Sequence, residues 1–147
     1  MAVDVQTHIE IDRSRDDVAA FASDPDNAPR WYVNIKAVEW KTPRPLQVGT
    51  RVAFVARFLG RELTYTYEVM ELVAGRRLAM RAAEGPFPME TIYEFEATGP
   101  ARARMSLRNR GEPHGFARFL APFIRLAMRR ATQKDLARLK AVLEGAA

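Results

Sequence analysis

Five side chains stand out in this sequence as able to touch a bound or reacting molecule: Tyr65, Tyr67, Tyr93, Asn109 and Glu84. Phenols with an ordinary pKa of about 10 are poor bases and good hydrogen-bond donors. An amide both donates and accepts, and a carboxyl held inside a fold is a general acid or base. His114 adds a base, although a lone loop histidine is more often only solvated. Other chemistry lacks its parts: there is no glycine-rich phosphate loop, G-x-S-x-G elbow, H-E-x-x-H pair or Ser/His/Asp set. The chain has no cysteine and two histidines, His8 and His114. Thiolate chemistry, disulfides and a histidine-rich metal centre are thereby excluded, and no metal or cofactor is expected.

These residues need a frame to hold them. Residues 3–11 alternate strictly, with Val3, Val5, Thr7, Ile9 and Ile11 on one face, which predicts a half-buried strand. Ser14 followed by Asp16 and Asp17 predicts a capped short helix through Val18 to Ala22. Pro25 and Pro29 bracket a loop and a further helical turn ending at Trp31-Tyr32. Strands are then predicted near 34–41, 50–59, 62–73, 76–84, 89–98 and 102–110, punctuated by Gly60-Arg61, Ala74-Gly75, Gly85-Pro86 and Gly99-Pro100. No crossover helix fits between neighbours, so the sheet is an antiparallel meander. After Gly115 the pattern is helical until Gly145, and Pro122 should kink or restart that helix. At 147 residues, 48% of them hydrophobic, one domain over 1–147 is expected.

The net charge of +5 would suit nucleic acid or anionic lipid. Its placement argues otherwise for the sheet. Arg51 and Arg57 are followed by Glu62 and Glu68, then Arg77 and Arg81, then Glu90, Glu94 and Glu96, then Arg102, Arg104, Arg108 and Arg110. The sign flips at each successive strand, as expected where neighbours pair across a ladder. Asp4 and Glu10 fit beside the last, arginine-rich strand. The sheet order is then first, seventh, sixth, fifth, fourth, third, second, and no nucleic-acid partner is expected.

The inward set that remains is Val38, Trp40, Val52, Phe54, Phe58, Leu63, Tyr65, Tyr67, Leu78, Met80, Met89, Thr91, Tyr93, Phe95, Met105, Leu107 and Asn109. Apolar walls with sparse polar tips suit a small-molecule pocket; a solid core with each hydroxyl bonded to backbone is the alternative. Phe116, Leu120, Phe123 and Ala127 form an apolar helix face, with Phe119, Ile124, Leu126 and Met128 widening it. That surplus could equally be a dimer contact or a membrane-touching face. Strand direction gathers the 59–61, 84–88 and 111–115 loops at one end as a cavity mouth. Glu84 points inward there by strand parity, and Phe87, Phe116 and His114 are placed to close over a ligand.

With these residues in view, the sequence resembles the START-like, helix-grip superfamily, in its polyketide cyclase/dehydrase and lipid-transport branch. The element order carries the resemblance, with Asp24-Pro25-Asp26-Asn27 leading to Trp31, the 85–91 stretch, Asn109-Arg110-Gly111-Glu112-Pro113, and Asp135-Leu136-Ala137-Arg138-Leu139-Lys140. It implies an α+β fold: a seven-stranded antiparallel sheet, β-α-α-β6-α, wrapped round a long C-terminal helix, with the three loops as gates. Binding or transport of a small hydrophobic molecule ranks first. The ligand set is Trp40, Phe54, Phe58, Tyr65, Tyr67, Met80, Glu84, Phe87, Met89, Thr91, Tyr93, Asn109, Phe116, Leu120 and Phe123. A cyclase, aromatase or dehydratase ranks second, and a protein- or ribosome-binding module using Arg129, Arg130, Lys134, Arg138 and Lys140 third. No membrane-spanning run or signal peptide is visible, so a cytoplasmic monomer or homodimer is expected, with transient membrane contact left open.

Overall fold

The structure, a computed structural model, describes residues 3–58, 60–84, 88–112 and 119–145, and the side chains of all of these except Phe58, Ala83 and Glu84. Seven strands form one antiparallel sheet: β1 (Val3–Ile11), β2 (Ile35–Trp40), β3 (Arg51–Phe58), β4 (Arg61–Val73), β5 (Arg77–Glu84), β6 (Met89–Gly99) and β7 (Arg102–Gly111). Their spatial order, β1-β7-β6-β5-β4-β3-β2, is the one the charge signs indicate. Helix α1 (Arg15–Ser23) is capped by the Ser14 side chain, which accepts from the Asp17 N–H. A 3-10 turn at Pro25–Asn27 and the short α2 (Ala28–Trp31) follow. The long α3 (Ala121–Leu143) closes the described chain.

The charge alternation is a register. Arg51 stands opposite Glu68, Glu68 opposite Arg81, Arg77 opposite Glu94, Glu90 opposite Arg110, and Glu96 opposite Arg104. Glu10 accepts from Arg102 at 2.9 Å and Arg104 at 3.0 Å, and Asp4 from Arg108. These arginines hold the Asp4 and Glu10 carboxyls below their ordinary range. The pairs are exposed, so each adds little. Arg104→Glu is expected to cost less than about 1 kcal/mol in a urea melt; a loss of several would show that the side chain is not at the surface.

Of the two outcomes expected of Pro122, a kink or a restart, the structure shows a start: it lies in the first turn of α3, where a missing N–H costs nothing. The buried stripe is not the one the largest side chains suggest. Ala121 packs on Val3 and Val5 with Ile124 and Met128, and Thr132, Asp135, Leu136, Leu139 and Leu143 continue inward. A small residue at the contact lets the helix approach β1 closely. Leu120 and Phe123 are left on the outside at 42% and 71% exposure.

Gly75, at φ 75°, shows why a turn needs its glycine: an added Cβ would lie 2.8 Å from Asp16 Oδ1. The main core joins Leu136, Leu139 and Leu143 of α3 to Ile11, Leu78, Phe95, Met105 and Leu107 of the sheet and to Val18 and Trp31 of the helices. It fills the end of the sheet away from Val3 and Met89.

Candidate functional site

The inner face of the sheet is built in rows. Val5, Asn109, Thr91, Met80 and Val69 stand opposite one another across β1, β7, β6, β5 and β4. The adjacent row runs Thr7, Leu107, Tyr93 and Leu78. Polar atoms therefore meet in the middle of an apolar surface. Thr91 Oγ1 donates to Asn109 Oδ1 at 2.7 Å and lies 3.5 Å from the Tyr67 hydroxyl. Tyr67 packs with both the main core and the Ala28–Val52–Phe54 cluster, so its ring bridges them. Tyr65 lies nearly parallel to it, with centroids 6.2 Å apart, and Phe54 stands edge-on at 5.8 Å.

A second polar group sits one row deeper. The Tyr32 and Tyr93 hydroxyls are 2.5 Å apart. Trp31, fully buried beneath them, stacks at a tilt on Tyr32 and meets Tyr93 edge-on. Asp135 of α3, 4% exposed, accepts the Val33 N–H at 2.9 Å and so ties the long helix to the segment after α2. Two buried polar atoms in this half of the core, Thr7 Oγ1 and Trp31 Nε1, have no protein partner among the described residues.

Burial sets the protonation. It pushes Tyr67 up to about 12 and raises Tyr65, Tyr93 and Tyr32 above the ordinary phenol value. All four are neutral donors at physiological pH. Burial also raises Asp135 to about 6, against the Val33 N–H and Arg138, which favour the charged form. Among the described residues, no three His, Asp or Glu side chains converge as metal ligands would.

The expected site residues are placed as follows. Tyr67, Thr91 and Asn109 come together, flanked by Phe54, Tyr65, Met80 and Tyr93, with the half-buried Met89 at the end of β6. Trp40 lies on edge strand β2, and its indole N–H is committed to Asp26 Oδ1 at 2.9 Å under a stacked Arg44. Leu120 and Phe123 are on the outer side of α3 and do not join the set. Glu84 lies just past a bulge: one extra residue in β5 puts Glu84 opposite Thr66 while Ala82 stands opposite Tyr67. Its side chain, those of Phe58, Phe87 and Phe116, and most of the two expected gate loops fall outside the described residues, as does His114. The loops' flanks do meet, because the Glu112 N–H donates to Pro88 O at 3.3 Å.

Tyr32, Trp31, Thr7 and Asp135 complete the polar interior without having been singled out as site residues. Two open hollows lie elsewhere, one of about 620 Å³ over Arg15, Arg76, Arg77, Glu94 and Arg104, and one of about 340 Å³ beside Asp26, Trp40 and Arg44. Neither is lined by the inner rows.

A family model described as polyketide cyclase / dehydrase and lipid transport matches residues 2–144. The chain belongs to this family. The polyketide cyclase/dehydrase fold recurs in solved structures at low identity. The Zhui aromatase/cyclase of a Streptomyces species superposes with a TM-score of 0.82 at 16% identity, over 98% of this chain and 94% of that one. A Thermus thermophilus protein, TTHA0849, gives 0.81 at 20% identity over 93% and 94%. A START superfamily protein of Mycobacterium smegmatis gives 0.73 at 16% over 97% and 94%. No curated protein sequence is significantly similar to the chain. Among the described residues, no helix is long and apolar enough to cross a membrane.

Proposed function

We propose that this member of the family binds a small, uncharged hydrophobic molecule between α3 and the sheet, holding its carbonyl or hydroxyl at the Tyr67–Thr91–Asn109 group. The observation that carries the reading is the placement of that neutral group on an otherwise apolar inner face. Raised phenol pKa values make the tyrosines donors and leave them poor bases. Among the described residues, no charged side chain joins that group to pair with a charged ligand. The apolar walls supply affinity and the three tips supply orientation.

The test is uptake of an environment-sensitive apolar dye, with native mass spectrometry of the purified protein for a retained molecule. Thr91→Trp is expected to abolish dye uptake while the circular dichroism spectrum is retained, because the new ring occupies the middle of the row. Overpacking costs about 1–3 kcal/mol, so Thr91→Val serves as the gentler variant; it removes the hydroxyl, keeps the shape, and should weaken binding of hydroxylated probes alone. A wild type that takes up no dye and retains no molecule would end the reading.

A cyclase or dehydratase is the second reading, supported by the family description, the likeness to the Zhui aromatase/cyclase and one observation in the site. Asp135, with its raised pKa of about 6, is within electrostatic reach of the Tyr32 and Tyr93 hydroxyls. Turnover of a polyketide-like substrate that is lost in Asp135→Asn, with dye uptake retained, would favour it.

A further inference from the structure

We infer that the outward side of the first half of α3 docks on an anionic lipid surface. Four of the eight large apolar side chains exposed among the described residues fall within 119–126: Phe119, Leu120, Phe123 and Leu126. Phe123, Leu126, Arg130 and Lys134 follow one another at spacings of three, four and four, which puts them on one side of the helix. The opposite side is the buried stripe from Ala121 to Leu143. Large apolar residues at one end of an exposed stripe and basic ones along the rest make a surface that inserts shallowly and holds headgroups.

The distribution of charge names the occupant. Residues 119–145 carry six basic side chains (Arg125, Arg129, Arg130, Lys134, Arg138, Lys140) and two acidic ones (Asp135, Glu144), a net +4. The whole chain has 23 basic and 18 acidic, a net +5, so everything outside this segment contributes only +1. The sheet arginines are answered by carboxylates on neighbouring strands. Arg125, Arg129, Arg130 and Lys134 have no ion-pair partner among the described residues. Asp135 is buried and Glu144 is paired with Lys140, so no acid interrupts the exposed basic side.

A second copy of the chain fits poorly, because a two-fold contact through this face would set Arg125, Arg129 and Arg130 against their own counterparts. Nucleic acid would satisfy the arginines and leave Phe123 and Leu126 wet. An anionic bilayer satisfies both. Ala121 packs on Val3, which stands opposite Gly111, itself paired on its other side with Met89, placing the face at the Val3–Met89 end of the sheet, away from the main core. The docking itself does not rest on the ligand reading.

Co-sedimentation with vesicles tests it, comparing phosphatidylcholine alone with a phosphatidylcholine–phosphatidylglycerol mixture at low and high salt. Binding is expected to the mixed vesicles, weakening as salt rises. Arg130→Gln with Lys134→Gln should lower the partition roughly 25-fold, about fivefold for each charge removed near the surface. Phe123→Asp should lower it comparably. All three side chains are exposed, so the melting temperature should not move, and unchanged dye uptake would separate this result from a loss of the ligand site. Equal binding to both vesicle types, or indifference to both variants, overturns the proposal. So does a concentration-dependent dimer that Phe123→Asp dissociates, or RNA retention that the glutamine pair abolishes while vesicle binding is absent.

Discussion

Asp135→Asn is expected to flatten a rise in stability that the wild-type protein shows as pH falls through about 6. The carboxyl is nearly out of water in the folded state, where its pKa is about 6, against an ordinary value of 3.8. Between those values the folded chain holds a proton that the unfolded chain has released. Unfolding therefore becomes easier as pH rises from 3.8 to 6, and the penalty is complete above 6. Two units correspond to roughly 3 kcal/mol. The surface works the other way. Asp4, Glu10, Asp26 and Glu144 have pKa values lowered by their arginine, lysine, tryptophan and backbone partners. Their stabilisation is present above the ordinary carboxylate values and is lost as pH falls through the folded ones. The two trends place maximum stability on the acid side of neutral, below the folded-state pKa of Asp135. In Asp135→Asn the Oδ1 can still accept the Val33 N–H, so the helix stays tied, and only the acid-limb loss should remain. Urea melts across this pH range in both proteins make the comparison. Parallel profiles would mean that Asp135 reaches water.

The sheet was legible because its signals are local and redundant. Strand alternation, turn residues and the sign of the outward charges each indicate the same order, and Arg77 opposite Glu94 or Glu96 opposite Arg104 shows that order directly. Thr91 and Asn109 followed from parity alone, because no bulge intervenes between β6 and β7 at that row. Where a bulge does intervene, as at the extra residue before Glu84, alternation alone does not fix a residue's face. The face of α3 failed for a different reason. Bulk does not mark the buried side here, because the helix meets β1 through Ala121 and leaves Phe123 outside. Asp135 was findable. Its spacing from Met128, Thr132 and Leu139 is that of the buried stripe, and a carboxylate on such a stripe is worth questioning. Tyr32 and Trp31 were not, since a four-residue helix has too little sequence to show a period.

Trp31→Ala is expected to cost about 3–5 kcal/mol, a large share of the roughly 5–15 kcal/mol that holds a domain of this kind folded. The indole is fully buried, it packs against Tyr32 and Tyr93, and it joins α2 to the core cluster that includes Leu136 and Leu139. Removing it leaves a cavity under the paired hydroxyls that no neighbour can fill without unseating them. Trp31→Phe asks a sharper question. It keeps an aromatic ring against Tyr93 and discards Nε1, a buried donor with no protein partner among the described residues. An unmade hydrogen bond of this sort costs about 1–3 kcal/mol, so its loss should offset much of the lost volume. Thermal melts are expected to rank the wild type and Trp31→Phe close together, with Trp31→Ala far below. Dye or ligand affinity, measured on the two stable proteins, then reads the donor separately. If Nε1 faces the bound molecule, Trp31→Phe binds more weakly at unchanged stability. If affinity and stability are both unchanged, the indole serves the fold through its volume alone.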